Sequence, residues 1–152
     1  MKKLFNILLV FLLIGCSSAR KIVTPEFSIT STYYDTNKID RNHFFYDSQT
    51  GVLKNRRPEE VIIKLTDSDK QEIYKFYKSI NVKGNLCWYT FEDKTSSKIS
   101  FQLKSSSPKK TKCDSTNKQE INKYIDLFYK IRNLLKSKKE YKEMFPAEFY
   151  ES

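Results

Sequence analysis

Three cysteines, one histidine and a few close pairs of acidic residues are the side chains best equipped for chemistry in this sequence. His43 is the single histidine, and a lone imidazole needs a partner to act as a base. No motif sets a serine or cysteine nucleophile beside it. Cys87, Cys113 and the distant His43 do not make a zinc set at usual spacing, and no metal site is expected. The serines of "SSSP" (Ser105–Pro108) stand outside any Gly-x-Ser-x-Gly elbow. Asp67 and Asp69 lack the remaining ligands of a calcium loop, and their place ahead of an apolar-periodic segment reads as helix capping. A dispersed pair of glycosidase-type carboxylates stays open, since its members need not be close in sequence. With no phosphate-cradling glycine loop either, no catalytic residue and no cofactor is assigned.

Cys16 is different because of what precedes it. Met1-Lys2-Lys3 is a short positive segment, and Leu4–Ile14 is apolar in ten of eleven positions, broken only by Asn6. That run is too short to cross a hydrocarbon core, which needs about 20 residues, and it fits residues 1–15 as a signal peptide. It closes on Leu13-Ile14-Gly15-Cys16, which resembles the lipobox of bacterial lipoproteins. The resemblance implies thioether lipidation of Cys16, cleavage after Gly15, and acylation of the new amino group by chains of the palmitate class. Gly15 lets a peptidase approach the backbone, and the Cys16 thiol is the strong nucleophile at hand. Two or three chains, at about 0.8 kcal/mol per buried CH₂, give a durable membrane anchor. Ser17, where an aspartate would favour inner-membrane retention, implies the outer membrane of the cell envelope.

The remaining 137 residues make one domain's worth of chain, with 26 basic against 18 acidic residues, a net charge of +8. Residues 16–25 read as a tether and 26–152 as a single domain. Outside the cytoplasm Cys87 and Cys113 can bridge, closing a loop worth about 3–4 kcal/mol by chain entropy, or they can stay as buried thiols; compartment and even count favour the bridge. The lysine surplus gathers at Lys104, Lys109, Lys110 and Lys112, and at Lys136, Lys138 and Lys139, with Arg56-Arg57 on a hairpin arm. One reading is a patch for anionic lipid headgroups, envelope phosphates or an acidic protein, to which Phe145, Phe149 and Tyr150 add contact area. The other is a solvated face with glutamates interspersed. Nucleic acid is not expected on the far side of a membrane. The function that results is a non-enzymatic binding or structural module. The alternatives are a small envelope hydrolase or an inhibitor or immunity-type protein using the Ser105–Lys112 loop.

The elements that must carry these residues follow from periodicity. Phe27, Ile29, Ser31 and Tyr33 alternate as one face of a strand. Phe44–Tyr46 and Val52–Lys54 form a hairpin around Asp47–Gly51, with Gly51 supplying positive φ. "EEVIIKL" (Glu59–Leu65) reads as a central strand. Ile73, Phe76, Tyr77 and Ile80 make a helical face capped by Thr66 or Ser68, with Gly84 in the following turn. Two strands around Asp93–Ser97 follow, the second with Ile99, Phe101 and Leu103 inward. Ile121, Tyr124, Ile125, Phe128, Ile131 and Leu135 mark a long helix, capped by Ser115 or Thr116, whose stripe reads as core. The fold expected is α+β, an antiparallel sheet of four to five strands with two helices on one face. This layout resembles small lipoproteins of the Bacteroidetes type, a resemblance that carries no activity and no functional residue with it.

Overall fold

Alternation does what it should in the first strand. In the computed structural model, which describes residues 24–34, 40–56, 59–82, 84–90, 96–104 and 117–146 without the side chains of 40–43, 86 and 88–90, β1 (Phe27–Tyr34) buries Phe27 and Ile29 completely on one face. The signal assigned to residues 1–15, and the tether assigned to 16–25 apart from residues 24 and 25, lie outside the described residues. β2 (Asp40–Asp47) and β3 (Val52–Asn55) form the expected hairpin, followed by β4 (Glu60–Ile62), α1 (Asp67–Ile80), β5 (Leu86–Thr90), β6 (Ser96–Leu103), α2 (Lys118–Lys136) and α3 (Lys139–Met144). The fold is α+β. Its antiparallel sheet has the order β4-β3-β2-β1-β6-β5 among the described residues.

Cross-strand rows fix which side chains share the buried face. Val61, Leu53, Tyr46, Ile29 and Phe101 oppose one another across five strands. The next row runs Asn55, Phe44, Ser31, Ile99 and Cys87. All three helices pack on this face. Tyr77 of α1 lies 4.9 Å from the Phe101 ring, Phe128 of α2 meets Phe44 edge-on at 5.2 Å, and Tyr141 of α3 accepts a 2.9 Å hydrogen bond from Asn55 Nδ2. Each fully buried Ile, Leu or Phe here is worth about 1.5–3 kcal/mol over leaving it in water.

Several details depart from the sequence expectation. Among the described residues the sheet has six strands, and "EEVIIKL" supplies an edge strand of three residues. Its apolar run is explained by Ile63 and Leu65, which leave the strand and sink into the core while Ile62 stays exposed. Ser96 and Ser97 belong to β6 instead of the turn. The long helix is capped by Asn117, whose Oδ1 accepts from the amides of Gln119 and Glu120. Its buried centre is Tyr124, Leu127, Ile131 and Leu135, while Ile121, Ile125 and Phe128 sit on one flank, half-buried. A third helix, α3, places Tyr141 and Phe145 in the core, so Phe145 adds no surface to a basic patch. The first helix begins as expected: Thr66 and Asp69 cap one another reciprocally.

Where the chain enters β1, polar groups hold it. Glu26 accepts from Lys70 Nζ at 2.6 Å and from the Ser48 hydroxyl, and Ser48 Oγ accepts from the Phe27 amide at 2.8 Å. Asp47 receives Lys104, and Asp69 receives Lys138, at 2.6 and 2.7 Å. Burial would raise all three carboxyl groups, but the lysine hydrogen bonds and charges, with help from Ser48 at Glu26 and from backbone amides at Asp47 and Asp69, hold them below their ordinary values. The phenols of Tyr46 and Tyr124 move the other way, pushed up mainly by burial; Tyr46 donates to the Ile63 carbonyl at 2.9 Å.

Two outcomes follow. The depressed carboxyl groups stabilise the fold above their unfolded pKa values near 4, and that stability is lost as pH falls below them. The raised phenols stabilise it up to pH 10, and that share is lost at higher pH. Thermal melts against pH should therefore be flat between about 5 and 9 and fall on both sides, and Tyr46→Phe should weaken the alkaline fall. Gly51 has φ 79°, and a Cβ there would lie 2.9 Å from the Ile63 carbonyl oxygen. Gly51→Ala should cost about 1–3 kcal/mol, read as a lower urea midpoint at unchanged slope.

Candidate functional site

Small side chains at one end of the buried face leave a space that the helices do not fill. Near the start of β1 the face is crowded by Phe27, Ile29, Tyr46 and Phe101. Farther along, the inward positions of β1 and its neighbour β6 are Ser31 and Ser97. A bulge between Ser31 and Tyr33 shifts the register against β2 at the same place. The result is a cleft of about 330 Å³ between the sheet and the flank of α2, at the lower end of the range for small-molecule sites.

The cleft has a gradient of polarity. Its floor is Phe44, Ile99, Asn55 and Ser97, all buried, and the amide of Asn55 is committed to Tyr141. Its wall is the flank of α2. Ile125, Phe128, Tyr129 and Arg132 stand at i, i+3, i+4 and i+7, a second stripe beside the core stripe. Phe128 bridges Phe44 below and Tyr129 above, with edge-on contacts of 5.2 and 5.5 Å. The rim carries Arg56, exposed, and Tyr129, 50% exposed. Two guanidinium groups and no carboxylate line the cleft among the described residues. Such a site attracts anions, and the low-dielectric walls strengthen the field.

Arg56 holds its place by an uncommon backbone. It follows β3 directly and has φ 57°, the left-handed region that costs a non-glycine residue about 1–2 kcal/mol. Strain of this kind gathers where a side chain must be aimed.

The residues singled out by sequence fall elsewhere. Lys104 is paired with Asp47 and Gln49, Lys138 with Asp69, and Lys139 with Glu143 on its own helix. Lys136 is half-buried in the last turn of α2. Lys109, Lys110, Lys112, Cys113 and Cys16 lie outside the described residues, as do Phe149 and Tyr150. Cys87 is buried on β5 opposite Ile99. His43 is on β2, with its side chain not described. No cluster of His, Cys, Asp and Glu suited to a metal exists among the described residues, and none of their helices is long and apolar enough to cross a membrane. Among the described basic residues noted from sequence, Arg56 reaches the cleft; Arg57 lies outside the described residues. Arg132 was missed, although its spacing from Ile125 and Phe128 was there to be found.

Compared with known proteins, the chain matches no family model, no curated protein and no solved structure.

Replacing Arg56 by glycine separates aiming from folding. Arg56→Gly relieves the left-handed strain and adds backbone entropy to the unfolded chain. Stability should stay level or rise by about 0–1 kcal/mol in urea unfolding; a loss above 1 kcal/mol would mean that the guanidinium holds the fold together.

Proposed function

We propose that this chain is a lipid-anchored binding module of the bacterial cell envelope, held at the outer membrane through acylated Cys16, and that its cleft takes a small anionic ligand without transforming it. The observation that carries the binding reading is the pairing of Arg56 and Arg132 at one cleft whose described lining offers no carboxylate to serve as acid or base. The anchor rests on the Leu13-Ile14-Gly15-Cys16 lipobox and the apolar run before it.

Placement supports the two together. The tether joins at Glu26, clasped by Lys70 and Ser48, while Tyr33 of the cleft stands about 20 Å farther along β1 at roughly 3.3 Å per residue. The described chain enters at the Glu26 end of β1 and the cleft lies toward its other end, which suits a ligand arriving from water. The bridge between Cys87 and Cys113 belongs to the same proposal; the burial of Cys87 on β5 supports it. The lysines near the tether, Lys104 and Lys138, carry charge beside an anionic surface even while paired.

Mass spectrometry of the chain from expressing bacteria tests the anchor. An acylated Cys16 as the first residue is expected, and an intact Met1 with a free thiol overturns the envelope role. Titrating the protein with a panel of small carboxylates, phosphates and acidic sugars tests the site. Amide shifts at Ser31, Ser97 and Arg132 are expected, weakened at least fivefold in Arg56→Gly; no shift from any anion overturns the cleft as a binding site.

A further inference from the structure

Resting on the reading of the cleft as an anion-binding site, we infer that its ligand is a sugar acid, a single pyranose unit whose hydroxyl groups meet Ser31, Ser97 and Tyr33 while its carboxylate meets Arg56. Ser97 points to this first. It lines the cleft and is 8% exposed, yet its side chain bonds to no described residue. Among the described residues no fully buried side-chain oxygen or nitrogen lacks a partner. The unpaired Ser97 hydroxyl therefore opens on the cleft that it lines. Ser31 and Tyr33 line the same space, half-buried, and their hydroxyl groups also bond to no described residue.

Three hydroxyl groups without protein partners select the guest. Each both donates and accepts. A hydrocarbon body laid against them would leave them without the bonds that water gives, a cost that a sugar hydroxyl avoids by replacing those bonds in kind. Their spread selects against a compact anion. Ser31 pairs with Ile99 and Tyr33 with Ser97, so Ser31 and Tyr33 stand about 6.6 Å apart along β1. The Tyr33 phenol also reaches a ring's length farther from its strand than either serine hydroxyl. A phosphate ion is too small to touch all three, whereas a six-membered ring with hydroxyl groups around its edge spans them. The apolar faces of such a ring suit Ile125 and Phe128, half-buried on the wall formed by α2.

The charge lies to one side of the hydroxyl groups. Asn55 shares a cross-strand row with Phe44 and Ser31, and Arg56 follows it, exposed, with no ion pair to a described residue. Arg56 thus stands on the β3 side of the cleft, and the three hydroxyl groups stand on the β1 and β6 side. A sugar acid is divided in the same way, with one carboxylate at the end of a ring otherwise decorated by hydroxyl groups. A guanidinium is a planar fork of donors that matches that carboxylate. Asn55 and Arg132 also line the cleft, but both are already engaged within the protein, and neither is needed.

The test titrates the full chain with glucuronate and with galacturonate, which differ at one hydroxyl, and follows amide shifts against three comparators. Glucose has the hydroxyl groups without the charge, cyclohexanecarboxylate has ring and charge without the hydroxyl groups, and inorganic phosphate has charge alone. The better of the two sugar acids should bind at the cleft about tenfold tighter than any comparator. Ser97→Ala, Ser31→Ala and Tyr33→Phe should each weaken it roughly fivefold while leaving cyclohexanecarboxylate unchanged. Their melting temperatures should hold or rise, because none of these hydroxyl groups has a partner in the fold. Arg56→Gly should weaken the sugar acid by about fivefold and leave glucose unchanged. The methyl glycoside of the same acid separates two sources: equal binding assigns the end of a glycan, and weaker binding a free sugar acid. Equal binding of cyclohexanecarboxylate or phosphate, or full affinity for the sugar acid in all three hydroxyl variants, overturns the ligand class while leaving the cleft an anion site. Equal binding of glucose overturns the carboxylate contact at Arg56. No shift from any of these compounds, nor from the wider panel of anions, overturns the cleft reading itself.

Discussion

The pairing of β1 with β2 along one edge and with β6 along the other is the interaction on which the remaining structure depends. β1 is the first strand of the domain and also a central one, so every row of the buried face passes through it. Ile29 connects Tyr46 and Leu53 on one side to Phe101 on the other, and Ser31 connects Phe44 to Ile99. A slip of one residue in β1 would turn Phe27 and Ile29 to the opposite face and take the contact surface from the helices. The polar clasp at Glu26 guards against that slip. Ser48 takes the Phe27 amide, Phe27's carbonyl takes the Ser48 amide, and Lys70 from α1 holds the carboxylate above them. Register, helix position and chain entry are thus fixed at one end of the sheet.

At the other end the same rows run out of bulk. Ser31 and Ser97 occupy core-facing positions where the crowded end has Phe27, Ile29 and Phe101, and the bulge beside Ser31 changes how β2 lies against β1. α2 cannot close the gap, because Leu127 and Ile131 are already seated and its next flank is Ile125, Phe128 and Tyr129. The cleft is therefore a by-product of the packing that makes the core. The proposed site is a place where the hydrophobic face was left incomplete and where arginines from β3's end and from α2 line the opening.

Charge is divided along the same axis. Among the described lysines, Lys70, Lys104 and Lys138 each hold a carboxylate at the clasp end. Exposed or half-exposed pairs of this kind add little individually to stability. Their use is to satisfy the acids that cap α1 and the first turn. The cleft is lined by the guanidinium groups of Arg56 and Arg132, and a guanidinium is the group suited to directional recognition of an anion.

Much of the fold was legible because it rests on local rules. Period two in Phe27–Tyr33 and Ile99–Leu103, period 3.6 in Ile73–Ile80 and Tyr124–Leu135, Gly51 in its turn and the Thr66 cap all come from sterics and hydrogen bonds within a few residues. The edge position of β4 was not legible. "EEVIIKL" has the composition of a central strand, and only the tertiary structure shows that Ile63 and Leu65 serve the core after leaving the sheet. α3 was hidden for a related reason: six residues broken by a following proline give too little periodicity, and Tyr141 is held by Asn55, 86 residues away. The cleft belongs to the same class. Sequence contained the arginines, the serines and the aromatic flank, each with an adequate local explanation as charge, turn or core. Their meeting depended on strand order and on the rotation of α2 about its axis, set by close packing over long separations. Local patterning thus determined which faces would be apolar and where helices would begin. The tertiary structure decided which apolar face stayed unfilled, because a void is a property of several elements packed together and of none of them alone.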